Sequence, residues 1–255
     1  MNQPTDSEIA LMLATHESAP QSIVPAVLVE TALADQYVSI DGPLGPIYVG
    51  FTINGISSVV PTGSEEEFLG RHEVSVGRPA YPAVEMPRRL ETALRKSLDT
   101  GRLGKLPVDL RQLTPFQRRV LDVTAQIPPG EARPYGWVAR EMRNEGAVRA
   151  VGSALARNPV PIVIPCHRVV KSDGSVGSYA FGPQMKASLL EHEGMDPALF
   201  APGSLRYVGS DTTGIYCFPT CRNARRIADE HRIEFRSGGV AEGAGYRACK
   251  ICRPG

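Results

Sequence analysis

Long apolar segments, strong net charge and abundant cysteine are all missing from this 255-residue sequence. No apolar run reaches the roughly 20 residues that a membrane-spanning helix needs, so no membrane partner is expected. The first residues, Met1–Asp6, lack the basic segment followed by an apolar one that marks a secretory signal. Five cysteines, an odd number, argue against a disulfide scaffold. A cytoplasmic protein is therefore expected.

The net charge of +1 is unevenly distributed along the chain. Residues 1–113 carry 9 basic and 14 acidic side chains, residues 114–205 carry 10 and 8, and residues 206–255 carry 9 and 5. A polyanionic partner would therefore bind toward the C-terminus, although arginines distributed by chance would give the same counts. With 42% hydrophobic and 22% charged residues, the chain has the composition of a globular protein with one large or two modest domains.

The first half of the chain predicts a small α/β subdomain. Apolar runs are separated by turn residues, among them Asn54-Gly55, which is a strong hairpin signal. Leucines spaced by four residues indicate an amphipathic helix over Glu85–Leu98. The predicted strands are Tyr37–Ile40, Ile47–Thr52 and Ile56–Val60.

A helical block begins after residue 113. Thr114, Pro115 and Gln117 have the order of an N-cap, a first-turn proline and the partner of a capping box. Two short helices follow, over Trp137–Arg143 and Ala147–Arg157, with a glycine-containing turn between them. This spacing fits a helix-turn-helix, a geometry that often binds DNA, although most short helix pairs bind nothing.

The second of these helices has small side chains after one long basic residue. Arg149 is followed by Gly152, Ser153 and Ala154. Such a surface suits close packing on a neighbouring helix, and it equally suits insertion into a DNA minor groove behind a single arginine. The spacing alone does not choose between the two.

One cysteine stands apart from the other four. Cys166 follows a buried apolar stretch and precedes His167 and Arg168. A lone buried cysteine is usually an inert small hydrophobe, whereas a nucleophilic one needs a base or a positive charge nearby. Neighbours in sequence do not face each other on a helix or strand, so a bend or a bridging water is needed for His167 to act on Cys166.

The residues around Cys166 resemble the O6-alkylguanine-DNA alkyltransferase family over roughly residues 36–195. The family signature is matched by Arg149-Ala150-Val151-Gly152, Asn158-Pro159 and Ile164-Pro165-Cys166-His167-Arg168-Val169-Val170. Matching positions flank it at Gly130-Glu131, Tyr135, Gly177, Tyr179, Lys186, Leu189-Leu190 and Glu193-Gly194.

The resemblance implies a stoichiometric DNA-repair enzyme that acts as a monomer on double-stranded DNA carrying O6-alkylguanine. The damaged base would be flipped from the minor groove, and Cys166 would take its alkyl group. His167 would deprotonate Cys166 through a water, Glu193 would orient His167, and Tyr135 would donate to the leaving guanine. The residues implied to contact DNA or the flipped base are Arg149, Asn158, Pro161, Val169 and Tyr179.

Two positions depart from the family pattern. Pro134 precedes Tyr135, where serine or threonine is common in the family, and Phe181 stands where some members carry smaller residues. A bulky Phe181 leads to the hypothesis of a narrow pocket that favours methyl over benzyl adducts.

The other four cysteines form two pairs near the C-terminus. Cys217 and Cys221 are separated by three residues, and Cys249 and Cys252 by two. Four thiolates in paired spacing suit one tetrahedral zinc ion, with Zn²⁺ bound by all four cysteines. The metal would also stabilise a segment of about 45 residues that has few large apolar side chains.

This segment resembles the zinc-binding module of the bacterial adaptive-response (Ada-type) protein. The motifs are Thr212-Thr213-Gly214-Ile215-Tyr216-Cys217-Phe218-Pro219-Thr220-Cys221-Arg222 and Tyr246-Arg247-Ala248-Cys249-Lys250-Ile251-Cys252-Arg253-Pro254. The resemblance implies that Cys217 is a second methyl acceptor, for DNA phosphotriesters. The module is shorter at its start than in the family and lies at the C-terminus. A structural or DNA-affinity element, or a methylation-dependent regulator, is therefore the alternative.

Together these features predict an α+β protein: an α/β N-terminal subdomain, a helical catalytic subdomain with a helix-turn-helix, and a C-terminal zinc module. The expected division is a leader without assigned chemistry, with a short helix near Ser7–Thr15, and three further parts. The boundaries are 1–30, 31–113, 114–200 and 206–255. A cysteine hydrolase built on Cys166 and His167 is a further alternative, but it leaves the small-residue helix without a role.

Overall fold

The computed structural model describes residues 23–201 and 207–254, and the helix predicted near Ser7–Thr15 lies outside them. Within these ranges, no helix is long and apolar enough to cross a bilayer. The described chain has the α+β class predicted from the sequence. Its larger parts are a four-stranded sheet with helices, a helical region and a second four-stranded sheet near the C-terminus.

The N-terminal sheet is built around the predicted hairpins. Its strands are β1 (Asp35–Gly42), β2 (Gly45–Thr52), β3 (Gly55–Pro61) and β4 (Ala80–Pro82). Their order is β3-β2-β1-β4; β1, β2 and β3 are antiparallel, and β4 pairs with β1 in parallel. The hairpin at Asn54-Gly55 is confirmed, with Gly55 at φ 131°, a conformation open mainly to glycine.

Three helices accompany this sheet: α1 (Ile23–Glu30), α2 (Glu65–Val76) and α3 (Arg88–Thr100). The prediction of α3 is confirmed, and Leu94 on its apolar face is fully buried. The helix begins at Arg88 rather than at the predicted Glu85, directly after Pro87 in extended conformation at its N-cap. Helix α2 was not predicted, because its first turn is three glutamates and it buries only one side chain per turn.

A row of buried polar side chains ties α2 to the sheet. Ser58 Oγ lies 2.7 Å from His72 Nδ1, His72 Nε2 lies 3.6 Å from Asp35, and Arg78 Nε donates to Asp35 at 2.7 Å. Asp35, Ser58 and His72 are at most 1% exposed. Gly50 packs against this row, and a larger residue would not fit there, because its Cβ would lie 2.4 Å from Ser58 Oγ.

The helical region comprises four helices and two very short strands. They are α4 (Pro115–Thr124), β5 (Arg133–Pro134), α5 (Tyr135–Glu141), α6 (Val148–Ala156), β6 (Val169–Val170) and α7 (Pro183–His192). The capping box at the start of α4 is confirmed. Helix α5 begins two residues earlier than predicted, and α6 lies within the predicted range. Strands β5 and β6 pair in parallel, which brings Arg133 opposite Val169.

The C-terminal module is a small sheet with one short helix. Its elements are β7 (Tyr207–Ser210), β8 (Ile215–Cys217), β9 (Arg232–Phe235), α8 (Gly238–Gly243) and β10 (Arg247–Ala248), with strand order β10-β8-β7-β9. Its four cysteines share one apolar core with Trp137 of α5. The module therefore packs directly against the helical region.

Candidate active site and metal centre

Cys166 begins a 3₁₀ turn, Cys166–Arg168, directly before β6, and its side chain is 7% exposed. Asn158, two residues after α6, holds this turn. Its Nδ2 donates to the Ile164 carbonyl at 2.9 Å and to Cys166 Sγ at 3.2 Å, while its Oδ1 accepts from Val160 N at 3.1 Å. The thiol is therefore fixed relative to the C-terminal end of α6.

The same turn presents His167 to a carboxylate. His167 Nε2 lies 2.8 Å from Glu193 Oε1. A carboxylate only accepts, so the proton of the neutral ring lies on Nε2 and the Nδ1 lone pair is left free. Nδ1 is buried and has no hydrogen-bond partner among the described residues. The ring is thus set up to receive a proton.

Glu193 is held by several further donors. Arg168 donates to it through Nε and a terminal nitrogen, and Gly130 N donates to Oε2 at 3.1 Å. Arg168 is 1% exposed and also donates to the carbonyls of Ile127 and Gly101, each at 2.7 Å. Burial raises the pKa of Glu193, but the hydrogen bonds from His167 and Arg168 outweigh it and hold the pKa at about 2.

The protonation states of Cys166 and His167 follow from the burial of both side chains. Burial raises the pKa of the Cys166 thiol, and the Asn158 hydrogen bond and the Lys186 charge only partly oppose this. Burial lowers the pKa of His167, and Glu193 opposes it. At rest the site therefore contains a thiol beside a neutral imidazole, which is the protonation that proton transfer from sulfur to ring requires.

Lys186 is a site residue for which the sequence predicted no role. It is fully buried on α7 and donates to the carbonyls of Val169 and Ser178. Burial lowers its pKa to about 8, while the Cys166 sulfur favours its charged form. A lysine on an amphipathic helix ordinarily reaches solvent, so composition and periodicity carried no signal for this role.

Two tyrosines lie near the Cys166 thiol. Burial, and then the neighbouring Cys166, raise the pKa of Tyr135 and raise that of Tyr179 well above its usual value. Both hydroxyls therefore stay protonated at neutral pH and can donate hydrogen bonds. Phe181 lies 5.7 Å from the Tyr179 ring and packs toward Tyr37 and Phe68 of the N-terminal subdomain. Pro161 and Val169 are buried in the same region of the chain.

Helix α6 has one buried and one exposed face. Val151, Ala154 and Leu155 are buried, whereas Arg149 and Ser153 are exposed. Packing against neighbouring helices therefore accounts for Ala154 but not for Arg149 and Ser153. The exposed face remains available to a partner.

The four C-terminal cysteines form one cluster. Their sulfurs all lie within 4.8 Å of one another, and all four side chains are buried. Tetrahedral zinc with bonds of about 2.3 Å places its sulfurs about 3.8 Å apart, so this donor set fits one ion. Hydrogen bonding from Cys221 raises the pKa of Cys217, while the reciprocal bond lowers that of Cys221. Four thiolates this close need a cation between them.

Cys217 also borders an open cavity of about 400 Å³. Polar side chains of the cavity wall include Thr212, Arg226 and His231. The Cys217 side of the cluster therefore lies next to this cavity, and the Cys217 side chain itself is 1% exposed.

We expect the free energy of unfolding to fall as the pH drops from about 7.5 to about 5.5. The pKa values of His72 and His167 are lowered by burial in the folded protein, whereas the unfolded chain takes up protons near pH 6.5. Below that pH the unfolded state binds more protons, so stability is lost at up to about 1.4 kcal/mol per pH unit for each histidine. Urea titrations at several pH values measure this. His72→Gln is expected to reduce the slope, because it removes one of these two buried histidines. A flat profile would contradict the assignment.

Both the helical region and the C-terminal module match known protein families. Residues 115–195 match the family described as "6-O-methylguanine DNA methyltransferase, DNA binding domain", and residues 202–255 match the "Metal binding domain of Ada". The chain is 34% identical over 160 residues to a methylated-DNA–protein-cysteine methyltransferase of Methanosarcina acetivorans, which covers 62% of this chain and 97% of that protein.

Two further relatives support the same grouping. A protein of the same name from Methanothermobacter thermautotrophicus is 45% identical over 112 residues, covering 40% of this chain and 62% of that protein, which is less than two thirds of its length. The crystal structure of a single-residue variant of the Mycobacterium tuberculosis O6-methylguanine methyltransferase is 31% identical, with a TM-score of 0.51, covering 62% of this chain and 92% of that one.

Proposed function

Because the chain belongs to the methylated-DNA–protein-cysteine methyltransferase family, we propose that it repairs DNA by moving a methyl or larger alkyl group from O6 of guanine to Cys166. The observation that carries the proposal is the turn Cys166–Arg168, in which His167 Nε2 is bound to Glu193 at 2.8 Å and its buried Nδ1 has no hydrogen-bond partner among the described residues. The proposed partner is double-stranded DNA bound by one protein molecule in the cytoplasm.

The proposed chemistry balances as a displacement at carbon. His167 takes the thiol proton, and Cys166 Sγ forms a bond to the alkyl carbon as the bond from that carbon to guanine O6 breaks. Glu193 stabilises the imidazolium, and the Tyr135 hydroxyl donates to the guanine ring as it gains electrons. The thioether is not hydrolysed, so each protein molecule reacts once.

In this proposal, α6 and the segment after it contact the DNA. Arg149 would enter the space left by the flipped base, with the exposed small residues of α6 against the minor groove. Asn158 would connect this helix to the thiol, and Pro161, Val169 and Tyr179 would line the base pocket. We also propose the domain division 31–113, 114–200 and 206–255 expected from the sequence.

A direct test is intact-mass analysis of the protein after exposure to DNA containing O6-methylguanine. One added methyl group, traced by peptide mapping to Cys166, is expected in the wild-type protein. Cys166→Ala is expected to gain none there, because alanine has no sulfur to accept the group. Undiminished transfer to the Cys166→Ala protein at the same site would overturn the proposal.

The zinc module supports a second candidate reaction. Zinc, when bound, would hold the four cysteines as thiolates at neutral pH. Cys217 borders the open cavity, with Arg226 on the wall, where a DNA phosphate would be attracted. Cys217 is therefore proposed as an acceptor of methyl from DNA phosphotriesters. In the same mass experiment, methylated DNA should add a second methyl group at Cys217. If no second methyl group is found at saturating DNA, the module has a structural or DNA-affinity role instead.

A further inference from the structure

The segment 130–135 lies between the zinc module and the Cys166 site. On the active-site side, Gly130 N donates to Glu193 Oε2 at 3.1 Å, and Arg133 pairs with Val169, three residues after Cys166. Tyr135 is the last residue of the segment, and burial together with the neighbouring Cys166 raises the pKa of its hydroxyl. Any shift of this short stretch therefore moves the orienting carboxylate and the proposed donor together.

The zinc module holds the other side of the segment. Thr220, which lies between two zinc-ligand candidates and is 6% exposed, accepts from Ala132 N at 2.9 Å through its hydroxyl. The same hydroxyl lies 3.2 Å from the Ala132 carbonyl, to which it donates. Next to it, Arg222 N donates to Glu131 Oε1 at 3.1 Å. Thr220 thus fixes the backbone of Ala132 much as a neighbouring strand would.

Aromatic contacts join the two parts beside this hydrogen bond. The Arg133 guanidinium lies 5.2 Å from the Phe218 ring centroid and 5.8 Å from that of Trp137. Trp137 Nε1 donates to the carbonyl of Cys252 at 2.9 Å. The interface between the segment and the zinc module is therefore hydrogen-bonded both at Ala132 and at Trp137, and both bonds involve buried side chains.

We infer that the zinc module is part of the scaffold of the Cys166 site, and that Thr220 is a positioning residue for alkyl transfer. The inference rests on the proposed function at Cys166. Strand β5 is only two residues long, and Gly130 adopts a left-handed φ of 72°, so the segment has little secondary structure of its own. The position of Gly130 relative to Glu193, and the position of Tyr135 at the end of the segment, are therefore set by the zinc module against which the segment packs.

The test compares Thr220→Val with Thr220→Ser in the full-length, zinc-loaded protein. Valine keeps the shape of threonine but leaves the buried Ala132 N–H without an acceptor, whereas serine restores the hydroxyl. Ser237→Ala is the matched control, because it removes the N-cap of α8 within the same module but away from the interface. Native mass spectra establish that each variant retains its metal.

Thr220→Val is expected to slow methyl transfer to Cys166 by about 5- to 50-fold, because a displacement of about 1 Å in an aligned group costs about 100-fold. DNA affinity should stay unchanged, since α6 is not touched. The acid limb of the pH–rate profile should move to higher pH, because a Glu193 released from Gly130 attracts the His167 proton more strongly. A lower fraction of folded protein would instead reduce the rate by the same factor at every pH and leave the acid limb in place.

Amide hydrogen exchange gives a readout independent of activity. In Thr220→Val the amides of Gly130 and Ala132 should exchange about tenfold faster, with α6 unchanged. Thr220→Ser and Ser237→Ala should retain wild-type rates and profiles. If Thr220→Val does not fold, Trp137→Phe, which removes the Nε1 donor to Cys252 together with one ring of the buried indole, should show the same shift in pH profile.

The outcomes separate this inference from the proposed function. Wild-type protein that transfers no methyl to Cys166 would overturn both. Wild-type transfer together with an unaltered rate, pH profile and Gly130 exchange in Thr220→Val would overturn the positioning role alone.

Discussion

Replacing Glu193 with glutamine is expected to slow methyl transfer to Cys166 by at least about 100-fold, within the range that general-base catalysis contributes. Glutamine has nearly the shape of glutamate and still offers an acceptor to His167 Nε2. It carries no charge, however, so the imidazolium formed when sulfur loses its proton is no longer stabilised. Single-turnover kinetics on DNA containing O6-methylguanine measure the effect. Unchanged DNA affinity would separate it from a binding defect.

The same substitution should also destabilise the fold. Arg168 is buried and Glu193 is its only carboxylate partner among the described residues, so glutamine leaves an uncompensated charge at a cost of about 3–5 kcal/mol. The pKa of Glu193 lies at about 2, below the 4.5 of a free carboxyl. Its contribution to stability is therefore complete above pH 4.5 and is lost as the pH falls toward about 2. Glu191→Gln, on an exposed residue of the same helix, is the control, and equal losses in both variants would contradict the role of Glu193.

Removing zinc is expected to unfold residues 207–254 while the N-terminal sheet stays intact. The module's own apolar cluster away from the cysteines is centred on Tyr216, Phe235 and Ala241. That is little apolar burial for so short a segment, whereas a structural zinc site supplies about 10–16 kcal/mol. The four clustered thiols then lose the cation that makes their proximity favourable.

A strong chelator followed by hydrogen exchange tests this, with native mass spectra to confirm loss of the metal. Amides of β7, β8 and β9 should lose protection, and those of β1–β3 should keep it. Cys221→Ser is expected to reproduce the result without chelator, and Cys166→Ser, which leaves the cluster whole, is not. A metal-free protein with native protection in β7–β9 would contradict a folding role for zinc.

The sequence predicted the elements that have strong local signals. Asn54-Gly55 specified a hairpin, and Thr114 with Gln117 specified a helix start, because both depend on neighbouring residues alone. Helix α2 escaped prediction, since its buried side chains are sparse and one of them is His72 in a polar row. Its partners Ser58 and Asp35 come from other parts of the chain, which no local pattern reports.

The candidate site also contains some residues that local sequence patterns identify and others that they do not. Cys166, His167 and the cysteine pairs are recognisable by type and spacing. The three-way anchoring of Arg168 depends on Glu193, Gly101 and Ile127, which are far away in sequence. The buried Lys186 depends in the same way on the distant carbonyl of Val169. The attachment of the zinc module through Thr220 was likewise not predicted, because a lone threonine between two cysteines carries no sign of a distant backbone partner.

The polar row of the N-terminal sheet has a consequence for how enzymes are identified from coordinates. Ser58, His72 and Asp35 have the residue types of a serine-hydrolase triad, but the ring is turned: Nδ1 faces the Ser58 hydroxyl, and Nε2 lies 3.6 Å from Asp35, too far for a hydrogen bond. Gly50 packs directly against Ser58 and His72, and none of the three side chains is more than 1% exposed, so no ester or peptide can reach the hydroxyl. A search by residue type and proximity alone would therefore assign hydrolysis to a buried structural cluster, whereas the orientation of the ring and the lack of substrate access both argue against it.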